Sequence, residues 1–233
     1  MSAPEASLDG IARRALDWVR PGEVLGLGTG RAATSFVRML GERVREGLDV
    51  RGVPTSEVTA ALARELGIPL LDLAAAGEIA TTFDGADEVD PGLDLIKGYG
   101  GALVREKIVA ASSRRRVMLV GSEKMVDALG AHGKLPVEIV PFALPLCRRG
   151  IERMGLGAPL RGGDANPWRT DNGNWILDVA VGRIEDPAGL DRRLREIPGV
   201  VGTGIFAGMA DVVLVQRGHE VQVLERKGPG SPG

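Results

Sequence analysis

The sequence predicts an α/β fold in which a Rossmann-like, doubly wound and mostly parallel sheet is interrupted by a smaller α+β domain. Over the first 129 residues, short apolar runs alternate with helical stripes at the spacing of βαβ units. From about residue 130 the pattern changes, because strands and helices are then separated by the polar, turn-rich stretch RGGDANPWRTDNGN. We therefore assign residues 1–129 and 203–227 to the Rossmann-like domain, 130–202 to the α+β domain and 228–233 to a disordered tail.

Apolar periodicity and glycine positions predict the individual elements. A first helical stripe, in SLDGIARRALDWVRPG, ends at Pro21 and Gly22. We predict strands in EVLGLGTG, DVRGVPTS, IPLLDL, EIATTFDG and RRVMLVG, and helices in RAATSFVRMLGERVREG, EVTAALARELG and ALVREKIVAASS. The later part gives strand, helix, strand and helix, and GTGIFAGMADVVLVQRGHEVQVLERK then supplies strands that we expect to return to the first sheet.

Composition and charge exclude several classes of function. Lys and Arg number 29 against 31 Asp and Glu, the formal net charge is -2, and aromatic residues are only 3% of the chain. No nucleic-acid partner is therefore expected, since nucleic-acid binding needs basic patches and stacking platforms. The single cysteine, Cys147, excludes an internal disulfide and a multi-cysteine zinc site. Because no leader-like or membrane-spanning apolar run occurs, we expect a soluble cytoplasmic protein without a membrane partner.

The stretch GLGTGRAA lies where a strand meets a helix, a place where backbone N–H groups and the helix dipole favour an anion. From Gly28 it matches the dinucleotide pattern G-x-G-x-x-A, but the next strand ends in PTS rather than in the acidic residue that an NAD ribose requires. A phosphate monoester fits better, and a structural turn without a ligand is the alternative. The candidate phosphate ligands are the loop amides and the side chains of Thr29, Arg31, Thr55, Ser56 and Thr59.

The acidic stretch TFDGADEVDP follows a predicted strand, so it belongs at the carboxyl edge of the sheet, where open α/β folds bind ligands. It contains Asp84, Asp87, Glu88 and Asp90 without a basic residue. The spacing does not fit an EF-hand, because Gly85 directly follows the first aspartate. Taken alone, the stretch could equally be a magnesium site or a solvated acidic turn.

Further charged residues follow in IKGYGGALVREK and GSEKMVD. Lys97 precedes a second glycine turn, Glu106 lies early in the next helix, where the dipole favours an ionised carboxylate, and Lys124 follows another strand. The alternatives are a surface ion pair for Glu106 and a solvated loop position for Lys124. On the predicted topology these segments all end on one side of the sheet, and this convergence favours a functional site.

A carboxylate base, a lysine, two aspartates and a phosphate cradle can move a proton between neighbouring carbons of a sugar phosphate. The base, Glu106, would remove the proton α to the carbonyl, Lys97 would stabilise the enediolate oxygen, and aspartates would relay hydroxyl protons. Nucleophilic catalysis by a Ser-His-Asp or Cys-His arrangement is less favoured, because it needs a histidine near the site. The chain has only two histidines, His132 and His219, both in its later part. Cys147 has apolar neighbours typical of a packed side chain.

Six segments together resemble the A-type ribose-5-phosphate isomerase family, over about residues 8–226: GLGTGRAA, TSEVTAALARELGIPL, TFDGADEVD, KGYGGALVREKIVA, TDNGNWILDV and IPGVVGTGIF. The resemblance implies interconversion of D-ribose 5-phosphate and D-ribulose 5-phosphate in the non-oxidative branch of the pentose phosphate pathway. It also implies a homodimer or larger homo-oligomer that uses no metal and no cofactor.

The resemblance assigns roles to residues at matching positions. Glu106 would be the proton acceptor, with Lys97, Asp84 and Asp87 as the other catalytic residues. The expected substrate-binding residues are Thr29, Gly30, Arg31, Ala32, Thr55, Ser56, Thr59, Asp84, Gly85, Ala86, Asp87, Lys97, Gly98, Tyr99, Gly100 and Lys124. We expect Glu88 and Asp90 to be capping or solvated groups.

Two positions depart from the family pattern: GTGRA stands where GTGST is usual, and KGYGGA where KGGGGA is usual. Two other classes of function remain open at this point. One is a nucleotide- or CoA-dependent transferase, since glycine-rich α/β sheets also serve such enzymes. The other is a non-catalytic sugar-phosphate sensor, against which the intact Glu106 and Lys97 argue.

Overall fold

The computed structural model describes residues 8–226, whose helices and strands follow in chain order. The helices are α1 (Asp9–Ala15), α2 (Arg31–Arg45), α3 (Glu57–Glu65), α4 (Leu73–Ala76), α5 (Leu103–Ala111), α6 (Leu144–Glu152) and α7 (Pro187–Arg195), with short 3-10 turns at Leu16–Trp18, Ser122–Lys124 and Pro141–Ala143. The strands are β1 (Val24–Leu27), β2 (Arg51–Pro54), β3 (Ile79–Asp84), β4 (Glu88–Val89), β5 (Leu95–Ile96), β6 (Ser113–Gly121), β7 (Lys134–Ile139), β8 (Trp175–Ala180), β9 (Val200–Thr203), β10 (Ile205–Phe206), β11 (Val212–Arg217) and β12 (Glu220–Glu225).

The chain divides into two compact units. Among the described residues, the first unit contains 8–85, Ile108–Lys124 and 210–226, and the second contains Ala86–Lys107 and Met125–Met209. The first unit is built on a six-stranded sheet in the order β12-β11-β6-β3-β1-β2, in which only the β11–β12 pair is antiparallel. The mostly parallel sheet with returning late strands is as the sequence predicts.

Both faces of this sheet are covered, because its central strands are apolar along their whole length. Every residue of β1 and β3 is buried. On one face, Leu25 and Phe83 pack with α1 and α2, where the Phe36 ring stacks on Phe83 at 4.2 Å between ring centroids. On the other face, Val24 and Ile79 pack with the last part of α5. Helices on both faces define a doubly wound sheet, which confirms the predicted fold class.

One predicted strand, IPLLDL at residues 68–73, is wrong. Leu70 forms a single parallel bridge with Gly52, and α4 begins three residues later. The reason is that the segment touches the edge strand β2 at one point only, where the Gly52 N–H donates to the Pro69 carbonyl and the Leu71 N–H donates back to the Gly52 carbonyl. Leu73 is then 39% exposed, so the apolar run does not continue as a buried strand along the sheet.

The second unit contains two small antiparallel sheets, ordered β10-β5-β4 and β8-β7-β9. Its core joins the second sheet to α6 and α7 through buried side chains such as Ile139, Ile151, Leu177 and Leu194. The predicted boundaries at 130 and 202 differ from those of the compact units. The segments 86–107, 125–129 and 203–209 belong to the second unit. One reason is that β5 pairs with β4 and β10 rather than with the parallel sheet.

The predicted tail at 228–233 lies outside the described residues. Within residues 8–226, none of the helices has the length and hydropathy needed to cross a membrane.

The stacked pair Phe36–Phe83 generates a prediction about stability. We expect Phe36→Ala to lower the free energy of unfolding by about 3–5 kcal/mol, because a fully buried ring is replaced by a cavity. Phe142→Ala is the matched control, since the Phe142 side chain is 96% exposed and its loss should change stability by less than about 0.5 kcal/mol. Urea unfolding of both variants measures the difference, and equal effects would contradict the packing described here.

Candidate functional site

Four hydroxyl groups converge in the first unit, after the parallel neighbours β1 and β2. The Thr29 Oγ1 atom lies 2.9 Å from Thr55 Oγ1, 2.8 Å from Ser56 Oγ and 3.2 Å from Thr59 Oγ1. Ser56 also caps α3, because its Oγ accepts the Thr59 N–H at 3.1 Å. The cluster lies beside the N-termini of α2 and α3, where hydroxyl and backbone N–H donors suit an anion.

Asp84, the last residue of β3, fixes the turn that carries Thr29. Its Oδ1 accepts the N–H groups of Thr29 at 3.1 Å and Gly85 at 2.8 Å, and the residue is only 1% exposed. Gly28 faces this carboxylate closely: a Cβ added there would lie 2.3 Å from Asp84 Oδ1 and 2.5 Å from Asp84 Cα. The first glycine of the loop is therefore required by the approach of β3.

The other loop residues differ in exposure. Gly30 has a φ of 102°, and Arg31, the first residue of α2, is exposed. Ala32 is buried and brings no polar side-chain atom. Lys124 ends the short turn after β6 and is partly exposed. In the first unit, Thr29 and Arg31 thus follow β1, Thr55 and Ser56 follow β2, and Lys124 follows β6, all of them strands of the parallel part of the sheet. Their role in binding a phosphate stays a prediction.

The second unit contains a buried ion pair between Lys97 and Glu106. The Lys97 Nζ atom lies 3.4 Å from Glu106 Oε2, and the two residues are 3% and 5% exposed. Lys97 directly follows β5, and its N–H donates to the Gly204 carbonyl at 2.9 Å. Glu106 lies in the first turn of α5, where the helix dipole favours its ionised form.

The position of Lys97 corrects one sequence expectation. Lys97 does not follow a strand of the parallel sheet, because β5 belongs to the separate antiparallel sheet of the second unit. The surface ion pair considered for Glu106 is also wrong, since the side chains of Lys97 and Glu106 are both buried.

The Phe206 ring lies close to two lysines of the second unit. Lys97 Nζ lies 5.6 Å and Lys107 Nζ 4.8 Å from the ring centroid. Lys107 donates to the Ile205 carbonyl at 2.7 Å and lies 3.5 Å from Asp191. Burial lowers the pKa of the Lys107 ammonium, while the Asp191 carboxylate acts in the opposite direction. Lys107 thus has structural partners of its own, the Ile205 carbonyl and Asp191, which are different from those of the Lys97–Glu106 pair.

Asp87 contacts the glycine stretch that follows Lys97. Its Oδ2 accepts the Tyr99 N–H at 2.9 Å, and its own N–H donates to the Ile96 carbonyl at 2.8 Å. The Tyr99 hydroxyl donates to the Lys134 carbonyl at 3.1 Å. Burial raises the pKa of the Tyr99 phenol well above its usual value, and the carboxylates of Glu88 and Asp87 add to this effect. Tyr99 is therefore a protonated donor at neutral pH.

The remaining carboxylates of the acidic turn have structural partners. Glu88 is fully buried and accepts the N–H groups of Gly130 at 2.6 Å and His132 at 2.7 Å, so it caps backbone groups and is not solvated. Asp90 Oδ1 accepts the Asp94 N–H at 2.9 Å within a turn. Across residues 8–226, His, Cys, Asp and Glu side chains form no group of three or more that could hold a metal ion.

Arg161 contacts the glycine stretch of the second unit, which the sequence does not predict. Its Nη1 donates to the carbonyls of Gly98 and Tyr99 at 3.1 Å each, and its guanidinium pairs with Asp178. Arg161 begins the turn-rich stretch RGGDANPWRTDNGN, where no periodicity or spacing indicates a partner. Only the fold brings it to the glycine stretch, 62 residues away from Tyr99 in sequence.

The doubly wound sheet, the hydroxyl cluster and the buried lysine–glutamate pair define an α/β enzyme with acid–base groups. The family model of ribose 5-phosphate isomerase A (phosphoriboisomerase A) matches residues 51–220. The chain belongs to this family, as its motifs predict.

Relatives named ribose-5-phosphate isomerase A are similar over nearly the whole chain. The protein of Rhodopseudomonas palustris (strain HaA2) is 50% identical over 222 residues, covering 92% of this chain and 95% of the relative. That of Thermomicrobium roseum is 48% identical over 224 residues, covering 95% and 94%.

Solved structures are similar too. The structure of ribose 5-phosphate isomerase A from Methanocaldococcus jannaschii has a TM-score of 0.89 and 41% identity, covering 94% of this chain and 97% of that one. A D-ribose-5-phosphate isomerase in complex with phospho-erythronic acid has a TM-score of 0.90 and 38% identity, with coverage of 94% and 97%.

The close approach at Gly28 generates a prediction. We expect Gly28→Ala to lower the free energy of unfolding by about 1–3 kcal/mol, because the new methyl group meets the backbone of Asp84. Gly85→Ala is the matched control, since the nearest atoms to its added Cβ lie 3.8 Å away, and it should change stability by less than about 0.5 kcal/mol. Denaturant unfolding measures the stability of both variants. If Gly28→Ala has the stability of the wild type, the loop moves away from Asp84 at no cost and the prediction is wrong.

Proposed function

We propose that this protein interconverts D-ribose 5-phosphate and D-ribulose 5-phosphate through an enediolate, in the non-oxidative branch of the pentose phosphate pathway. The buried pair of Lys97 with Glu106 is the observation that carries the proposal, because it supplies a carboxylate base and a cation next to each other and shielded from solvent. Relatives of about half identity that are named for this isomerase support the choice of substrate.

The proposed proton transfer uses Glu106 as the base. Its carboxylate takes the proton from C2 of the open-chain aldose, and the electron pair of the broken C–H bond forms the C1–C2 double bond of the enediolate. Lys97 stabilises the negative charge that develops on the former carbonyl oxygen, since an ammonium attracts an oxyanion more strongly where water is excluded. Returning the proton to C1 gives the ketose. Asp84 and Asp87 relay the hydroxyl protons.

We assign phosphate binding to the first unit. The proposed ligands are the hydroxyls of the Thr29 cluster, the amides of the loop at Gly30–Ala32, and the cations Arg31 and Lys124. One of the similar structures is in complex with phospho-erythronic acid, which supports a phosphorylated ligand for this chain. The sugar-binding groups would be Gly85 and Ala86 beside the aspartates, and Gly98, Tyr99 and Gly100 beside Lys97.

We also propose a homodimer or larger homo-oligomer that works in the cytoplasm without a metal or cofactor. Analytical ultracentrifugation of the purified chain tests the oligomer.

A turnover assay on ribose 5-phosphate, run with EDTA, tests the proposed function directly. We expect ribulose 5-phosphate to form, because none of the proposed steps needs a metal. Isothermal titration with nucleotides and acyl-CoA tests the transferase alternative, which requires binding of one of them. Binding of ribose 5-phosphate without turnover would instead favour a sensor.

The role of Glu106 leads to a prediction about rate. Glu106→Gln should lower kcat by roughly 10²–10⁴, because an amide cannot accept the proton, while substrate binding persists. Glu65→Gln makes the same chemical change at an exposed site of α3 and should leave kcat unchanged. Steady-state kinetics on both variants measure kcat. If Glu106→Gln has the kcat of the wild type, Glu106 is not the catalytic base.

Arg31 leads to a prediction about affinity. Arg31→Ala should raise KM roughly tenfold or more, because a charge-assisted hydrogen bond to phosphate contributes about 1.5–3 kcal/mol. The value of kcat should fall less, since the phosphate is remote from the reacting carbons. Arg38→Ala removes an exposed arginine from the same helix and serves as the control. The prediction fails if KM of Arg31→Ala equals that of the wild type at both low and high salt.

A further inference from the structure

We propose that Arg161 is a positioning residue that orients the Asp87 carboxylate through the peptide group between Gly98 and Tyr99. This inference rests on the proposed function, in which Asp87 relays hydroxyl protons. All four residues belong to the second unit.

The guanidinium of Arg161 is fixed by Asp178 on β8. Arg161 Nε donates to Asp178 Oδ2 at 3.0 Å, and Nη2 donates to Oδ1, so the two groups form a bidentate pair. Their side chains are only 14% and 18% exposed. The pair therefore sets the plane of the guanidinium and directs Nη1 away from β8.

The Nη1 atom donates to two successive carbonyls, those of Gly98 and Tyr99, at 3.1 Å each. The Gly98 carbonyl and the Tyr99 N–H belong to one peptide group, and that N–H donates to Asp87 Oδ2 at 2.9 Å. Because a peptide group is planar, fixing its carbonyl also fixes the direction of its N–H. The guanidinium charge moreover polarises the peptide, which strengthens the N–H as a donor to the carboxylate.

The Gly98 carbonyl of this peptide group accepts a second hydrogen bond, from the Gly101 N–H at 3.0 Å within the glycine turn. The orientation of the peptide plane depends on the ψ angle of Gly98, and a glycine backbone is the least restricted of all residues. Rotation of the peptide plane would turn the Tyr99 N–H away from Asp87 and present a carbonyl oxygen to the carboxylate instead. The charged hydrogen bond from Arg161 to the Gly98 carbonyl adds to the Gly101 contact in opposing that rotation, and the bond to the Tyr99 carbonyl holds the next peptide group. Arg161 thus acts on Asp87 without contacting it.

A double-mutant cycle between Arg161 and Asp87 tests the proposal. Arg161→Lys keeps the charge but cannot donate to Asp178 and to both carbonyls in the same geometry. We expect it to lower kcat about tenfold while KM changes about twofold or less. In the Asp87→Ala background, the same substitution should change kcat less than twofold, because the carboxylate it acts on is gone.

The chain offers a matched control in Arg116, which forms a bidentate pair with Asp211 in the first unit at 2.8 Å and 2.6 Å. Arg116→Lys makes the same chemical change and should leave kcat unaltered, even if the melting temperature falls. If Arg161→Lys lowers kcat no more than this control does, or if its effect is the same with and without Asp87, the proposal is wrong.

A second variant, Asp178→Asn, loosens the guanidinium while retaining Arg161, and it covers the case in which Arg161→Lys does not fold. It should lower kcat in the wild-type background and have no further effect with Asp87→Ala; an unchanged kcat would overturn the proposal. Wild-type turnover and the Glu106→Gln variant test the proposed function separately. Active wild type with unaffected Arg161 and Asp178 variants refutes only the positioning role, whereas inactive wild type refutes the function on which it rests.

Discussion

Burial of Lys97 beside Glu106 is the constraint that shapes the second unit. Taking either charge out of water alone costs several kcal/mol, so each needs the other and needs further polar support. That support is visible around the pair: Glu106 lies in the first turn of α5, and the Phe206 ring lies 5.6 Å from the Lys97 ammonium. The glycine stretch between them must then turn tightly enough to join β5 to the helix. Because the cost of desolvation can exceed the attraction between the two charges, burial of this pair is weak evidence for a stabilising role.

In the first unit the corresponding constraint is the close approach of β1 and β3. Asp84 accepts two backbone N–H groups at the turn, and the absence of a side chain at Gly28 makes room for it. Thr29 is thereby carried to the hydroxyls that follow β2. Because parallel strands end at one edge, residues distant in sequence meet there without any long loop. The residues at this edge are therefore positioned by the parallel sheet, whereas Lys97 is positioned by β5 of the separate antiparallel sheet.

Most of the fold is predictable from the sequence, because apolar periodicity and the positions of glycine and proline are local signals. The buried strands, their helices and the return of the late strands to the first sheet are confirmed. The prediction of a strand in IPLLDL is wrong, because apolar composition does not show whether a segment pairs along its length with a neighbouring strand. Glu88 and Arg161 show a second reason why the sequence does not predict the whole site. Each contacts backbone groups more than 40 residues away, Glu88 at Gly130 and Arg161 at Gly98. No residue type or spacing in the sequence indicates such partners, so only the folded chain identifies them.

Tyr99 shows how a departure from a family motif can be compatible with its geometry. Within KGYGG, positive φ angles occur at Gly98 (102°) and Gly101 (91°), so these two positions need glycine. Tyr99 is not among the described residues with positive φ, and a side chain there carries no backbone strain. The ring extends to the start of β7, where the Lys134 ammonium lies 4.1 Å from its centroid and the Lys134 carbonyl accepts its hydroxyl. The backbone N–H that contacts Asp87 is the same group a glycine would offer. The substitution therefore adds an anchor for the stretch and leaves its contact with the carboxylate unchanged.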